Sequence, residues 1–291
     1  MDVKQVLENE KLLIEIHESG AELCRIYDKE HKREVLWDAN PKVWNRHAPV
    51  LFPVVGQCYG QKYRIDKREY PMSQHGFARD AIFTLESKTE DEVWYQLEDS
   101  TILKEKYPFS FRLQIGHKLD LGHIKVMWKV INTDTSKDMY FQIGGHPAFV
   151  VPEGTEGFMK LLFPGKNTLN YEILGGDGFV VPKKMGTLRL NKGVAEIDSD
   201  FYDVPTYIFN ENQVDVVTLA MPDGKPYVTL HCQGFPYLGI WSKDSKRFHC
   251  LEPWFGRCDY EGFEGDIKEK VNILTLKPGQ VFDVSYKIEI H

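Results

Sequence analysis

Three short segments carry side chains suited to proton transfer or metal binding. They are MSQHGFARDAIF with His75 and Arg79, FQIGGHPAFVV with His146 behind two glycines, and RFHCLEPWFGRCD with Glu252 ahead of Pro253. A carboxylate is a suitable base and a protonated imidazole a suitable acid near neutral pH, and each contributes about 10²–10⁴-fold when positioned. Two histidines and a carboxylate also form the facial triad of non-haem iron sites. The chain holds no H-x-H or H-E-x-x-H pair, the spacing with which compact metal sites draw two ligands from one element. Taken singly, each residue has an ordinary structural explanation: a lone histidine in a β protein is more often a hydrogen-bonded core or surface residue than a catalyst. Only a fold that gathers the three segments gives them a joint role.

The elements available to gather them are strands. Apolar residues recur with period two in LLIEIH (Leu12, Ile14, Ile16), in FRLQIGHKL (Phe111, Leu113, Ile115) and in HIKVMWKVIN (Ile124, Val126, Trp128, Val130). Polar or glycine-bearing clusters at 28–34, 133–138, 221–226 and 242–247 join such runs at hairpin spacing, which predicts a largely antiparallel, all-β chain. Helical candidates are short, at 41–45 and 264–270. No linker, repeat or low-complexity segment divides the sequence, so residues 1–291 read as a single β-sandwich domain.

This frame places the polar segments. Tyr140, Gln142, Gly144 and His146 share one face of an extended run, and the two glycines leave room for a ligand or another backbone. Pro253 holds Glu252 extended and withholds a ladder donor, which predicts that Glu252 ends a strand. If the segment after His75 is extended, Arg79 points the same way as His75.

Composition narrows the function classes. Of 291 residues, 42% are hydrophobic and 13% aromatic, enough for a large core. With 36 basic against 43 acidic residues and a net charge of -7, a polyanion partner finds no electrostatic footprint, so nucleic acid is not expected. No run of 18 apolar residues occurs and the first twenty residues lack a cleavage signal, so neither a membrane span nor export is expected and the reading is cytoplasmic. Five cysteines without a C-x-x-C pair suit reduced, packed thiols.

Together, HGFAR, GGHPAF, CLEPWFG and the closing LKPGQVF resemble the aldose 1-epimerase (galactose mutarotase-like) family, and most closely its LacX-like bacterial branch. The sequence is also similar to the hexose-6-phosphate mutarotases. The resemblance runs from about residue 10 to the C-terminus. It implies a β-supersandwich with an open sugar cleft, no cofactor and no metal in the chemistry. It also implies a monosaccharide partner, an aldohexose or hexose phosphate, and a monomeric or homodimeric chain.

Anomer interconversion needs a proton taken from the anomeric hydroxyl and one delivered to the ring oxygen. The family roles then fall on Glu252 as base, His146 as acid and His75 as a further donor to the sugar. Arg46 matches a substrate-contacting position of the family and Asp203 its hydroxyl-gripping aspartate; Trp254 is a further candidate for substrate binding, with core or rim packing as its ordinary explanation. Arg79 is suited to a phosphate through its forked guanidinium. HGFAR replaces the leucine-histidine-glycine-glycine stretch of the galactose enzymes, so galactose specificity does not carry over. The competing class is a carbohydrate-binding or sugar-sensing protein of the same fold without turnover. It would need hydroxyl partners and aromatic faces but no acid opposed to a base.

Overall fold

The computed structural model describes residues 3–156 and 158–291. Two large sheets dominate. The first has nine strands, in the order Val194–Glu196, Lys160–Leu162, Val216–Ala220, Pro226–His231, Val281–Ile290, His123–Asn132, Phe111–Asp120, Glu92–Glu98 and Thr84–Lys88. The second runs Val180–Arg189, Thr168–Leu174, Thr206–Phe209, Tyr237–Trp241, Phe248–Phe255, Ile143–Gly145 and Val50–Leu51, with Ala148–Val150 also paired to Phe248–Phe255. A four-stranded sheet, Lys4–Glu8 to Arg33–Glu34, packs its Leu12, Ile14 and Ile16 into the same core. The pairings between these strands are antiparallel, as the period-two runs and hairpin spacings predict.

The three period-two runs form the strands Leu12–His17, Phe111–Asp120 and His123–Asn132. Three of the four turns are hairpins. The turn at 133–138 is not: His123–Asn132 pairs within the nine-stranded sheet, whereas the next strand, Met139–Phe141, pairs with Leu274–Leu276. Asn132 organises this crossing, its Nδ2 donating to the carbonyls of Lys137 and Leu276 and its Oδ1 accepting from the Asp134 N–H. Residues 41–43 form a turn, 267–269 a single 3₁₀ turn with an Asp266/Glu269 capping box, and the α-helix lies at Thr101–Lys106 behind the Ser100 cap.

The main core lies between the two large sheets. Across the sheets Phe255 meets Phe282 at 5.1 Å between ring centroids and Tyr286 reaches Gly145, while Trp128 packs on Tyr286 within the nine-stranded sheet at 5.3 Å. Alternation along Phe248–Phe255 therefore gives that strand two duties. Leu251 and Phe255 face the core, while Cys250, Glu252 and Trp254 face the other way. Glu252 lies inside this strand, not at its end as Pro253 suggested. The Leu251 N–H donates to the Pro147 carbonyl, so the donor that Pro253 lacks would point toward that same edge two residues on. The register that pairs Gly144 with Trp254 sets Pro253 opposite Gly145, and the neighbouring chain leaves the ladder one residue later, between Ile143–Gly145 and Ala148–Val150.

Candidate active site

That break in the ladder is where His146 sits. Gly144 and Trp254 are register partners, and a Cβ at Gly144 would lie 2.5 Å from the Trp254 ring. Gly239 on the opposite neighbouring strand would meet the same indole at 2.6 Å. The glycines thus seat Trp254 flat across three strands. The room at Gly145 is taken by Tyr286, 2.9 Å from where a Cβ would be. The empty space anticipated beside His146 is filled by protein side chains at both glycines. Gln142, expected on the same face, is instead a buried strut that accepts from the Val55 N–H and donates to the Val271 carbonyl.

His75 arrives from a loop, not a strand. Its φ is +66° and that of Gly76 is +77°, and a Cβ at Gly76 would lie 2.1 Å from the Phe52 carbonyl oxygen, so only glycine fits there. The chain then tightens into a 3₁₀ turn at Ala78–Asp80, and this turn, not an extended run, brings Arg79 to the site. The Gly56 N–H donates to His75 Nδ1 at 3.0 Å, which leaves the ring proton on Nε2 and makes that nitrogen a donor.

His75, Arg79, His146, Glu252 and Trp254 line one solvent-open cavity of about 270 Å³, at the small end of ligand pockets. His146 Nε2 lies 3.1 Å from Glu252 Oε2, a close contact without hydrogen-bond alignment, and among the described residues neither Glu252 oxygen has a hydrogen-bond partner. His75 meets the His146 ring edge-on at 5.6 Å. Trp44 at 4.9 Å and Trp241 at 5.4 Å complete the cage around that imidazole.

Burial dominates the electrostatics. Glu252, 1% exposed, is pushed well above the ordinary carboxylate range because the pocket disfavours its charge. Burial pushes His146 down to about 3. His75 is lowered first by burial and then by the nearby His146, Arg79 and Arg46. Each member of the cluster is driven toward its neutral form while the cavity stays accessible.

The remaining expected contacts are placed elsewhere. Arg46 does not line the cavity; it donates to the Arg79 carbonyl and, at 2.7 Å, to Asp80, bracing the turn behind Arg79. Asp203 is exposed at the end of a 3₁₀ turn, and Thr206 and Ile208, further along that segment, are what reach the cavity. Sequence reasoning missed Trp241 and Lys243, which the hairpin at 242–247 brings to the rim. Trp241 shares a strand face with Gly239, whose register partner is Glu252, so knowing that register would have found it. Arg79 donates to the Gln74 carbonyl at 2.7 Å, beside His75, and its Nε lies 3.9 Å from the Asp80 carboxylate. Among the described residues no helix is long and apolar enough to cross a membrane.

Known proteins match this architecture. The sequence model for aldose 1-epimerase matches residues 4–161. The plasmid-encoded LacX protein of Lactococcus lactis subsp. lactis is 28% identical over 303 residues, covering 98% of each chain. A galactose mutarotase-related enzyme from Lactobacillus acidophilus superposes with a TM-score of 0.93 at 28% identity, over 99% of this chain and 97% of that one. A galactose mutarotase-like protein from Lactobacillus casei does so with a TM-score of 0.90 at 31% identity, over 99% and 100%. The fold is galactose mutarotase-like, and the chain, matched over more than half its length by the family's sequence model and in full by these structures, belongs to the aldose 1-epimerase family.

Proposed function

We propose that the cavity interconverts the α and β anomers of an aldohexose, free or phosphorylated, by opening and reclosing its ring. The observation that carries this reading is a buried carboxylate with both oxygens unpaired, set 3.1 Å from a buried imidazole in a cavity open to solvent. Glu252 takes the proton of the anomeric hydroxyl and His146 gives one to the ring oxygen. The carbonyl end rotates, and the same two groups act in reverse on closure. His75 Nε2–H donates to the ring oxygen or a neighbouring hydroxyl. The faces of Trp44 and Trp254 suit the apolar side of a pyranose. Sugar hydroxyls supply the hydrogen bonds that the Glu252 oxygens lack and favour its ionised form on binding.

A binding protein without turnover has no use for an unpaired carboxylate facing an imidazole, a pair that costs free energy to keep buried. The test is polarimetry on freshly dissolved α-anomers, with and without a 6-phosphate. Relaxation faster than the buffer rate for at least one sugar supports turnover; saturable binding with relaxation at the buffer rate for every sugar would make the protein a sensor.

The acid–base pair sets the pH response. The reactive state holds one proton shared between Glu252 and His146. A second proton enters only as pH falls toward the depressed His146 value, and the last one leaves only above the raised Glu252 value. The acid limb of kcat/KM is therefore expected well below the ordinary imidazole value of about 6.5, toward the depressed His146 value, and the alkaline limb above the ordinary carboxylate range. An acid limb centred near the ordinary imidazole value in the pH profile would contradict the pairing.

Arg79 supports the loop more than it awaits a phosphate, because its guanidinium already holds the Gln74 carbonyl. Arg79→Ala is expected to lower kcat about 10-fold or more on free and 6-phosphorylated sugars alike, since small misplacements of a catalytic group cost up to about 10²-fold. A rise in KM confined to the phosphorylated sugar would instead assign Arg79 to phosphate binding.

A further inference from the structure

We infer that Cys250, Glu252 and His146 together form a site for a thiophilic divalent cation of the zinc class, and that an ion bound there blocks the sugar reaction. Cys250 and Glu252 stand two residues apart on the same face of Phe248–Phe255, and His146 reaches them from the neighbouring break in the ladder. Their ligand atoms all lie within 4.8 Å of one another, and the three residues are 0%, 1% and 7% exposed. Glu252 and His146 line the cavity, which gives an ion its route in, while Cys250 lies beneath them.

The second observation is the carboxylate itself. Both Glu252 oxygens are buried and lack hydrogen-bond partners, an arrangement that a cation would satisfy. One sulfur, one nitrogen and one oxygen donor favour Zn²⁺, Co²⁺ or Cd²⁺ over Mg²⁺ and Ca²⁺, which take oxygen ligands. Zinc bonds of about 2.0–2.3 Å set the ligands of a tetrahedral site roughly 3.3–3.8 Å apart, so side-chain adjustments of about an ångström close the set and leave the fourth position toward the cavity. His75 stays outside this group, its Nδ1 engaged by the Gly56 N–H. The donor set is therefore not the two-histidine facial triad weighed from sequence.

The blocking follows from the proposed function and rests on it: an ion on Glu252 and His146 occupies the lone pairs that proton transfer needs. Metal binding itself does not depend on that reading. The experiment titrates Co²⁺ into the full chain after dialysis against a chelator and follows the absorption spectrum. Binding releases the Cys250 thiol proton and the proton shared by Glu252 and His146 to solvent, and the expected result is a thiolate-to-cobalt charge-transfer band with tetrahedral visible bands, saturating at one ion per chain. Zn²⁺ should abolish it and Mg²⁺ should not. Cys250→Ser should lose the charge-transfer band and weaken Zn²⁺ binding about 10-fold or more, and His146→Ala, an independent variant, should weaken it comparably. In the polarimetric assay Zn²⁺ should slow the wild type, and added sugar should relieve the effect. Absence of the band in the wild type, or its persistence in Cys250→Ser, would overturn the site. A bound ion that leaves sugar turnover untouched would overturn the blocking, and the cobalt spectrum reads the site even if no sugar is turned over.

Discussion

Glu252→Gln is expected to lower kcat/KM for anomer interconversion by about 10²–10⁴-fold, the range for removing one positioned general base. The amide keeps the shape and volume of the side chain but has no oxygen basic enough to take the anomeric proton. Most of the loss should appear in kcat, because the groups that hold the sugar, including His75 and the faces of Trp44 and Trp254, are untouched. Folding should survive. The wild-type carboxyl is 1% exposed, and burial already presses it toward its neutral form, so a neutral amide relieves a cost instead of adding one. A variant with near-wild-type kcat/KM and an unchanged melting temperature would remove Glu252 from the role of base.

The second large effect concerns stability. Lys270→Met is expected to destabilise the fold by about 3–5 kcal/mol, the usual cost of stranding one member of a buried ion pair. Lys270 and Asp259 contact each other directly with side chains 1% and 5% exposed. Without the ammonium, the hydrogen bond left to the Asp259 carboxylate among the described residues comes from the Tyr59 N–H, at 2.9 Å. The thermal midpoint should fall by roughly 10 °C, as scanning calorimetry would read it. The double variant Lys270→Met with Asp259→Leu should recover much of the loss, because it removes both charges together. An unchanged midpoint in the single variant would show that the pair carries no such burden. The pair also stands behind the site: the Asp259 N–H donates to the Gln57 carbonyl, and Gln57 and Cys258 both line the cavity. A destabilised variant should therefore show raised KM before it unfolds.

How far the sequence anticipates this structure depends on whether a feature is local. Leu12–His17, Phe111–Asp120 and His123–Asn132 are written as period-two patterns because each buries one face, and they appear where the pattern puts them. The turn at 133–138 looks like a hairpin but crosses between sheets, since Phe111–Asp120 and the distant Val281–Ile290 already take both edges of His123–Asn132, and Met139–Phe141 pairs with the distant Leu274–Leu276. TILKEK gave no helix signal at six residues, too few to show a period, although Ser100 supplies the cap.

The same division runs through the site. His75, His146, Glu252, Arg79 and Trp254 were singled out from sequence, and the fold brings all five to one cavity. The glycines beside His146 suggest space for a ligand in the sequence because a missing side chain does not say what fills the gap. Trp254 and Tyr286 fill it, from positions that only the strand register relates to Gly144 and Gly145. Trp241 and Lys243 escaped for a similar reason, since a hairpin delivers them and no motif marks them. Arg46 and Asp203, carried over on family likeness, lie outside the lining. Arg46 serves as a brace for the turn that holds Arg79.

The central claim is that Glu252 and His146 exchange protons with a sugar so that its ring opens and recloses. It is tested most directly by exchange NMR on the anomeric protons of a sugar already at anomeric equilibrium, where no net change masks turnover. With wild-type protein, cross-peaks between the α and β signals should build up much faster than in buffer, and with Glu252→Gln they should fall back nearly to the buffer rate. Cross-peaks that grow equally fast with wild type and Glu252→Gln, or no faster than buffer with wild type for every aldohexose and hexose phosphate tried, would contradict it.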